Sequence, residues 1–159
     1  MYGAEIVGDR MISIWKIKPK VSEQAIEAIR TSDPGMTDKC LNTIRWGGVE
    51  ALPKGIDKCF EMDKPRRWQG LWLNGFEVSR FCPAPARECA DGAPRERIWL
   101  TGGASVHLPQ YEGQEPAPLY EVEFIGRKTA YPGDYEGMSQ QEMIVDRMIS
   151  MKPVMSLTK

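Results

Sequence analysis

At 159 residues, 42% of them hydrophobic, the chain has the length of one ordinary domain and can bury a core without metal or disulfides to support it. Twenty-one basic residues offset twenty-two acidic ones, so no overall field points to nucleic acid or to an anionic membrane, and strong nucleic-acid binding is disfavoured. No window approaches eighteen consecutive apolar residues, which excludes a membrane-spanning helix.

Fifteen glycines and twelve prolines spread along the chain signal many turns between short strands and favour sheet over helix. Met1–Arg10, MYGAEIVGDR, lacks the basic start and long apolar run of a secretory signal. Taken literally this predicts a cytoplasmic protein. A chain that begins after a removed leader is the alternative, and the cysteines bear on the choice. Ile6-Val7 and Met11–Ile17 have strand character, with Ile12 and Ile14 on one face and Met11, Ser13, Trp15 and Ile17 on the other. Lys16, Lys18 and Lys20 follow at alternating positions, the pattern of a solvated edge.

Ser22 is placed to cap a helix with Glu23 at the positive end of its dipole and an apolar stripe of Ala25, Ile26 and Ile29, ended by Asp33-Pro34-Gly35. A second short helix is predicted from Thr37 or Asp38 to about Trp46, with Leu41 and Ile44 inward and Gly47-Gly48 as its stop. Val49–Met62 is ambiguous, because Pro53 and Gly55 interrupt it, although Ile56, Phe60 and Met62 read as buried.

Arg66–Phe81, RRWQGLWLNGFEVSRF, organises the rest. Trp68 to Leu73 and Phe76 to Phe81 are apolar runs separated by Asn74-Gly75, a dipeptide that tolerates the positive φ of a type I′ turn, and pairing Leu73 with Phe76 sets the expected register. Leu71, Leu73, Phe76 and Val78 then share a plain core face, while Trp68, Gly70, Trp72, Glu77, Ser79 and Phe81 share the other. That mixed face has two readings: Trp68, Trp72 and Phe81 are core, or the indoles form an aromatic shelf for a ligand with Arg66, Arg67 and Glu77 supplying polarity. The run Lys64-Pro65-Arg66-Arg67 reads as surface and can steer an anionic ligand towards Trp68.

Cys40, Cys59, Cys82 and Cys89 have eighteen and six residues between the members of each sequential pair. Structural zinc wants close Cys-x-x-Cys knuckles, which neither spacing supplies, so no metal or other cofactor is implied and an even count fits disulfides. A bridge from Cys82 to Cys89 pins the proline-rich PAPARE loop, and one from Cys40 to Cys59 closes a longer loop, each worth roughly 2–4 kcal/mol in chain-entropy models. Three pairings are formally open, with four free buried thiols as the alternative. Oxidised pairs imply an exported protein, periplasmic or secreted.

Arg95–Thr101 reads as a strand around Ile98, Trp99 and Leu100, ended by Gly102-Gly103, and Ser105–Leu108 as another. Pro109–Pro118 is an exposed loop. In Leu119–Thr129, LYEVEFIGRKT, Tyr120, Val122 and Phe124 face one way and Leu119, Glu121, Glu123 and Ile125 the other. Tyr131–Gly137 is turn-rich. In Glu142–Met151 the formal capping box Ser139-x-x-Glu142 competes with a period-two pattern that sets Met143, Val145 and Ile149 against Ile144 and Met148, and a strand is expected. Asp9–Ser13, DRMIS, is repeated as Asp146–Ser150, and both copies run on to Lys-Pro. Chance is one explanation, and two related strands closing the first and last edges of one sheet is the other.

Familiar nucleotide cradles and the Gly-x-Ser-x-Gly elbow are missing from the sequence. His107 with Ser105 or a cysteine offers a base and nucleophile for a small hydrolase, against the plainer reading of a structural histidine. Glu121 and Glu123 share a face, as a glycosidase pair would, against the plainer reading of a solvated strand face.

The pattern Trp68-x-Gly70-x-Trp72-x-x-x-Phe76-Glu77-x-Ser79-x-Phe81-Cys82, followed by Tyr120–Arg127 and a glycine-tyrosine loop before the terminal strand, resembles a loose group of small exported proteobacterial proteins of uncharacterised function. The resemblance covers about the C-terminal 90 residues and implies a compact β-barrel-like domain in the cell envelope. Where that group carries a Tyr-Gly-His-Leu-Gly-type loop, this chain reads Tyr135-Glu136-Gly137-Met138, and no catalytic residues carry over.

The expected fold is mainly β (α+β): a single domain over 1–159, five to seven short strands mostly within 66–151 forming a small, partly closed β-barrel or curved antiparallel sheet, and one or two helices within 22–46 packed across it. The expected function is a non-catalytic exported module that binds a protein partner or envelope component around Arg66, Arg67, Trp68, Trp72 and Glu77. A hydrolase centred on His107 and a structural subunit of a larger assembly are the alternatives, and oligomeric state is left open.

Overall fold

The computed structural model describes residues 2–7, 10–16, 18–90, 97–133, 135 and 139–155. The faces expected for Met11–Ile17, and Asp9, Ile17, Arg95, Glu96 and Glu136–Met138, lie outside what is described. Strands β1 (Tyr2–Val7) and β2 (Arg10–Lys16) pair antiparallel as a two-stranded sheet. Helices α1 (Glu23–Ser32) and α2 (Asp38–Gly47) follow, then a 3₁₀ turn at Val49–Ala51 and the short helix α3 (Ile56–Cys59). Strands β3 (Arg66–Gly75), β4 (Val78–Pro83), β5 (Ile98–Gly102), β6 (Leu119–Lys128) and β7 (Gln141–Pro153) close a barrel in the order β3-β4-β5-β7-β6. Of the two expected forms, barrel or curved antiparallel sheet, the barrel is the one present; its ladders are antiparallel except β5·β7, which is parallel. Strand order by itself assigns no ligand.

Local chemistry explains the helices. The Ser22 hydroxyl accepts from the Ala25 amide at the start of α1, and the Thr37 hydroxyl accepts from the Cys40 amide at the start of α2. Ile26, Leu41 and Ile44 form a small helical core with Val21, Ile29, Met36 and Leu52 packed on it. The disulfide Cys40–Cys59, with Cα atoms 5.4 Å apart, ties α3 to α2. Ile56, Phe60 and Met62 are half-buried rather than buried, because residues 60–63 form the seam between helices and barrel. There Met36 bridges Phe60, Met62 bridges Thr129, and the Asp63 amide donates to the Lys128 carbonyl at 2.7 Å.

The β3–β4 hairpin corrects the expected turn. Its ladder runs on to Asn74↔Ser79 and Gly75↔Val78, so Phe76 and Glu77 form the tip, with Glu77 at φ 51° and Phe76 74% exposed. Asn74 is drawn into the strand instead, where its side-chain amide donates to the Pro109 carbonyl at 3.0 Å and its backbone N–H to Pro118 at 2.9 Å. The slip moves the register by an even number, so face membership survives but the core face is the other one. Trp68, Trp72 and Phe81 point into the barrel with Ile98, Leu100, Val122, Phe124, Met143 and Val145. Leu73 and Val78 are half-buried on the outside, and the second disulfide, Cys82–Cys89, folds its loop over that face, with the Cys89 sulfur 3.8 Å from the Leu71 carbonyl oxygen.

Strand β7 is a strand as expected, but its strict alternation fails. Register shifts opposite Glu123/Phe124 and Ile125/Gly126 put Met148 opposite inward Phe124 and leave Ile149 41% exposed. Ser105–Leu108 is not a strand: the chain turns back after Gly102, the Val106 amide donates to the Gly103 carbonyl at 3.0 Å, and the Val106 carbonyl occupies the space a Gly102 side chain would need. The two DRMIS copies do not close one sheet, since β2 belongs to the two-stranded sheet and β7 to the barrel.

Candidate binding site

Arg66 and Arg67 are exposed at the start of β3, and alternation puts Arg66 on the same face as Trp68, which turns into the barrel mouth and is 9% exposed. The Arg66 guanidinium lies over the Trp68 ring, 3.6 Å from its centroid, and the Lys128 ammonium stands 5.7 Å from the same ring. The indole N–H donates to the Gly126 carbonyl at 3.3 Å, which fixes the ring. Arg67 is ion-paired with Glu123 on the neighbouring strand. Among the described residues neither Arg66 nor Lys128 has a carboxylate within ion-pair distance. A groove of about 410 Å³ lies here, lined by Arg66, Arg67, Trp68, Gln69, Pro83 and Ala84. Its far wall is the loop that Cys82–Cys89 holds down, and the Ala84 amide bonds back to the Gln69 carbonyl at 2.8 Å.

The other two residues of the expected set are elsewhere. Trp72 is 2% exposed, stacks on Tyr120 with centroids 5.3 Å apart, and donates to the Ser79 hydroxyl at 2.9 Å, which donates in turn to the Leu100 carbonyl at 2.6 Å. Its polar atom is satisfied inside the core. Glu77 sits at the opposite end of the hairpin, roughly 30 Å along the strand from Arg66. Arg66, Arg67 and Trp68 are thus brought together, and Trp72 and Glu77 are not. His107 and Ser105 are both exposed, and among the described residues no hydrogen bond joins them. All four cysteines are in disulfides, so none offers a thiolate. Glu121 is exposed on the outer barrel face and Glu123 is held by Arg67.

One charged constellation has no local signature in the sequence. Arg127 on β6 donates through Nε and Nη2 to both oxygens of Asp146 on β7, at 2.9 and 2.8 Å, and Nη2 also lies 3.5 Å from Asp57 of α3. The Asp146 hydrogen bond is the main reason the Arg127 pKa is raised above its ordinary value, with burial opposing it. The alternation of β6 puts Arg127 on the outer face, but only the folded chain brings α3 to it.

Among the described residues no helix is long and apolar enough to cross a membrane, and no three His, Cys, Asp or Glu side chains cluster as a metal site would require. Two disulfides suggest an oxidising compartment outside the cytoplasm. No family model matches the chain, and neither a curated protein nor a solved structure does.

Proposed function

We propose that the protein is an exported, non-catalytic binding module of the cell envelope, and that the groove at the Trp68 end of its barrel receives an anionic group, phosphate or carboxylate, of an envelope component. The observation that carries this reading is the Arg66 guanidinium stacked 3.6 Å over Trp68, with Lys128 beside the same ring and no carboxylate on either cation among the described residues. Stacking holds the guanidinium plane still while leaving its N–H edges free, and a planar fork matches two oxygens of one oxyanion. A fixed indole beneath it reduces the ordering cost of binding. The two disulfides support export, and the one beside the groove keeps its wall in position.

The test is titration with inorganic phosphate at fixed ionic strength, alongside sedimentation with phosphatidylglycerol and phosphatidylcholine vesicles. Binding to phosphate and to phosphatidylglycerol that falls at least about tenfold in Arg66→Ala/Lys128→Ala is expected, a loss of about 1.4 kcal/mol. Phosphate binding without vesicle binding assigns a soluble anion instead of a lipid. Wild type and variant behaving alike towards every probe would remove the site.

A further inference from the structure

A second cleft, of about 620 Å³, lies where the Lys54–Lys58 segment meets the ends of β5 and β7. Small-molecule sites span roughly 300–1,000 Å³ and favour junctions between packed units. Lys54, Asp57 and Lys58 stand on the helical side and Arg127, Glu142 and Asp146 on the strand side, so the two walls carry net charges of opposite sign, one positive and one negative. Between them Arg127 gives Nε and Nη2 to Asp146, and Nη2 also has the long 3.5 Å approach of Asp57, which leaves Nη1 without a partner among the described residues. At that distance a hydrogen bond is weak. Neither lysine ammonium has an ion-pair or hydrogen-bond partner among the described residues, although three carboxylates line the same cleft.

The three cations and three carboxylates cancel, so the cleft does not gather simple anions or simple cations from a distance. Its separation into two walls instead matches a molecule that carries both charges. We infer that this cleft binds a zwitterion of amino-acid or short-peptide size, with the ligand carboxylate towards Lys54, Lys58 and Nη1 of Arg127, and the ammonium towards Asp146 and Glu142. The bonds those two acids already make do not prevent this, because each carboxylate offers about four lone-pair positions. The site is independent of the Trp68 groove.

The experiment is a chemical-shift titration of the full chain at constant ionic strength with L-alanyl-L-alanine, and separately with propionate and with propylamine, each of which carries half of its charge pattern. Dialanine is expected to saturate with an affinity at least about tenfold above either half, and Lys54→Ala/Lys58→Ala to weaken it at least about tenfold. Both lysines are exposed and unpartnered, so that variant keeps the fold. Arg66→Ala/Lys128→Ala leaves dialanine binding unchanged, which separates the two sites. No saturable binding by the wild type, equal affinity for dialanine and propionate, or full binding by the lysine variant would each overturn the inference.

Discussion

Gly70→Ala probes the filling of the barrel interior. A Cβ at Gly70 would overlap the Cys82 carbonyl oxygen and stand 2.8 Å from Phe81 Cε2. Neither neighbour yields easily. The carbonyl belongs to the β3–β4 ladder, and the Phe81 ring, 1% exposed, is held edge-on against Phe124 and Trp68, with centroids 5.1 and 6.2 Å away. Overpacking of this kind costs about 1–3 kcal/mol. With backbone among the clashing atoms the upper end applies, and the gain from replacing glycine in a strand offsets up to about 1 kcal/mol. The expected net loss is therefore about 2 kcal/mol, or roughly 4–8 °C in Tm for a chain of this size. Urea unfolding followed by circular dichroism and tryptophan fluorescence reads it. A variant within about 0.5 kcal/mol of wild type would mean that the space opposite Gly70 is empty, and the aromatic core described above would be wrong.

The two disulfides close loops with sequence separations of 19 and 7, so chain entropy assigns about 3 kcal/mol to Cys40–Cys59 and about 2 kcal/mol to Cys82–Cys89; paired Cys→Ser variants in urea are expected to keep that order. Asp146→Asn leaves the half-buried Arg127 without its bidentate partner, and about 1.5–3 kcal/mol of stability should be lost, read by the same unfolding assay, while Asp57→Asn costs much less. The Tyr135 phenol is buried and donates to the Tyr131 carbonyl at 2.6 Å, and burial is the main cause of its raised pKa. The raised folded value means that this group's contribution is complete below the unfolded tyrosine pKa and disappears as pH climbs through the folded one; Tyr135→Phe is expected to flatten the alkaline end of the stability curve, and an unchanged curve would refute it.

The helices could be read from sequence because their caps act over three residues: Ser22 and Thr37 each meet an amide in the next turn. Strand β6 could be read because its inward and outward residues alternate without a break. What escaped was set by distant parts of the chain. The hairpin tip moved because Asn74 is claimed by Pro109 and Pro118, 35 and 44 positions away, and the end of β7 lost its alternation to bulges that only pairing with β6 reveals. Residue types could not separate an aromatic core from an aromatic shelf, since indoles serve both. Barrel closure decides it, with Trp72 enclosed and Trp68 left at the mouth under Arg66. The Arg127 cleft depends on α3, which the Cys40–Cys59 bridge anchors.

The most direct measurement follows indole and guanidinium N–H resonances during a phosphate titration at constant ionic strength. The Trp68 indole, bonded to Gly126, and the Arg66 side chain should shift together and saturate, while the Trp72 indole, enclosed and bonded to Ser79, stays still. A motionless Trp68 and Arg66, or a linear drift spread over every surface cation, would contradict the claim that this end of the barrel is built to hold an anion.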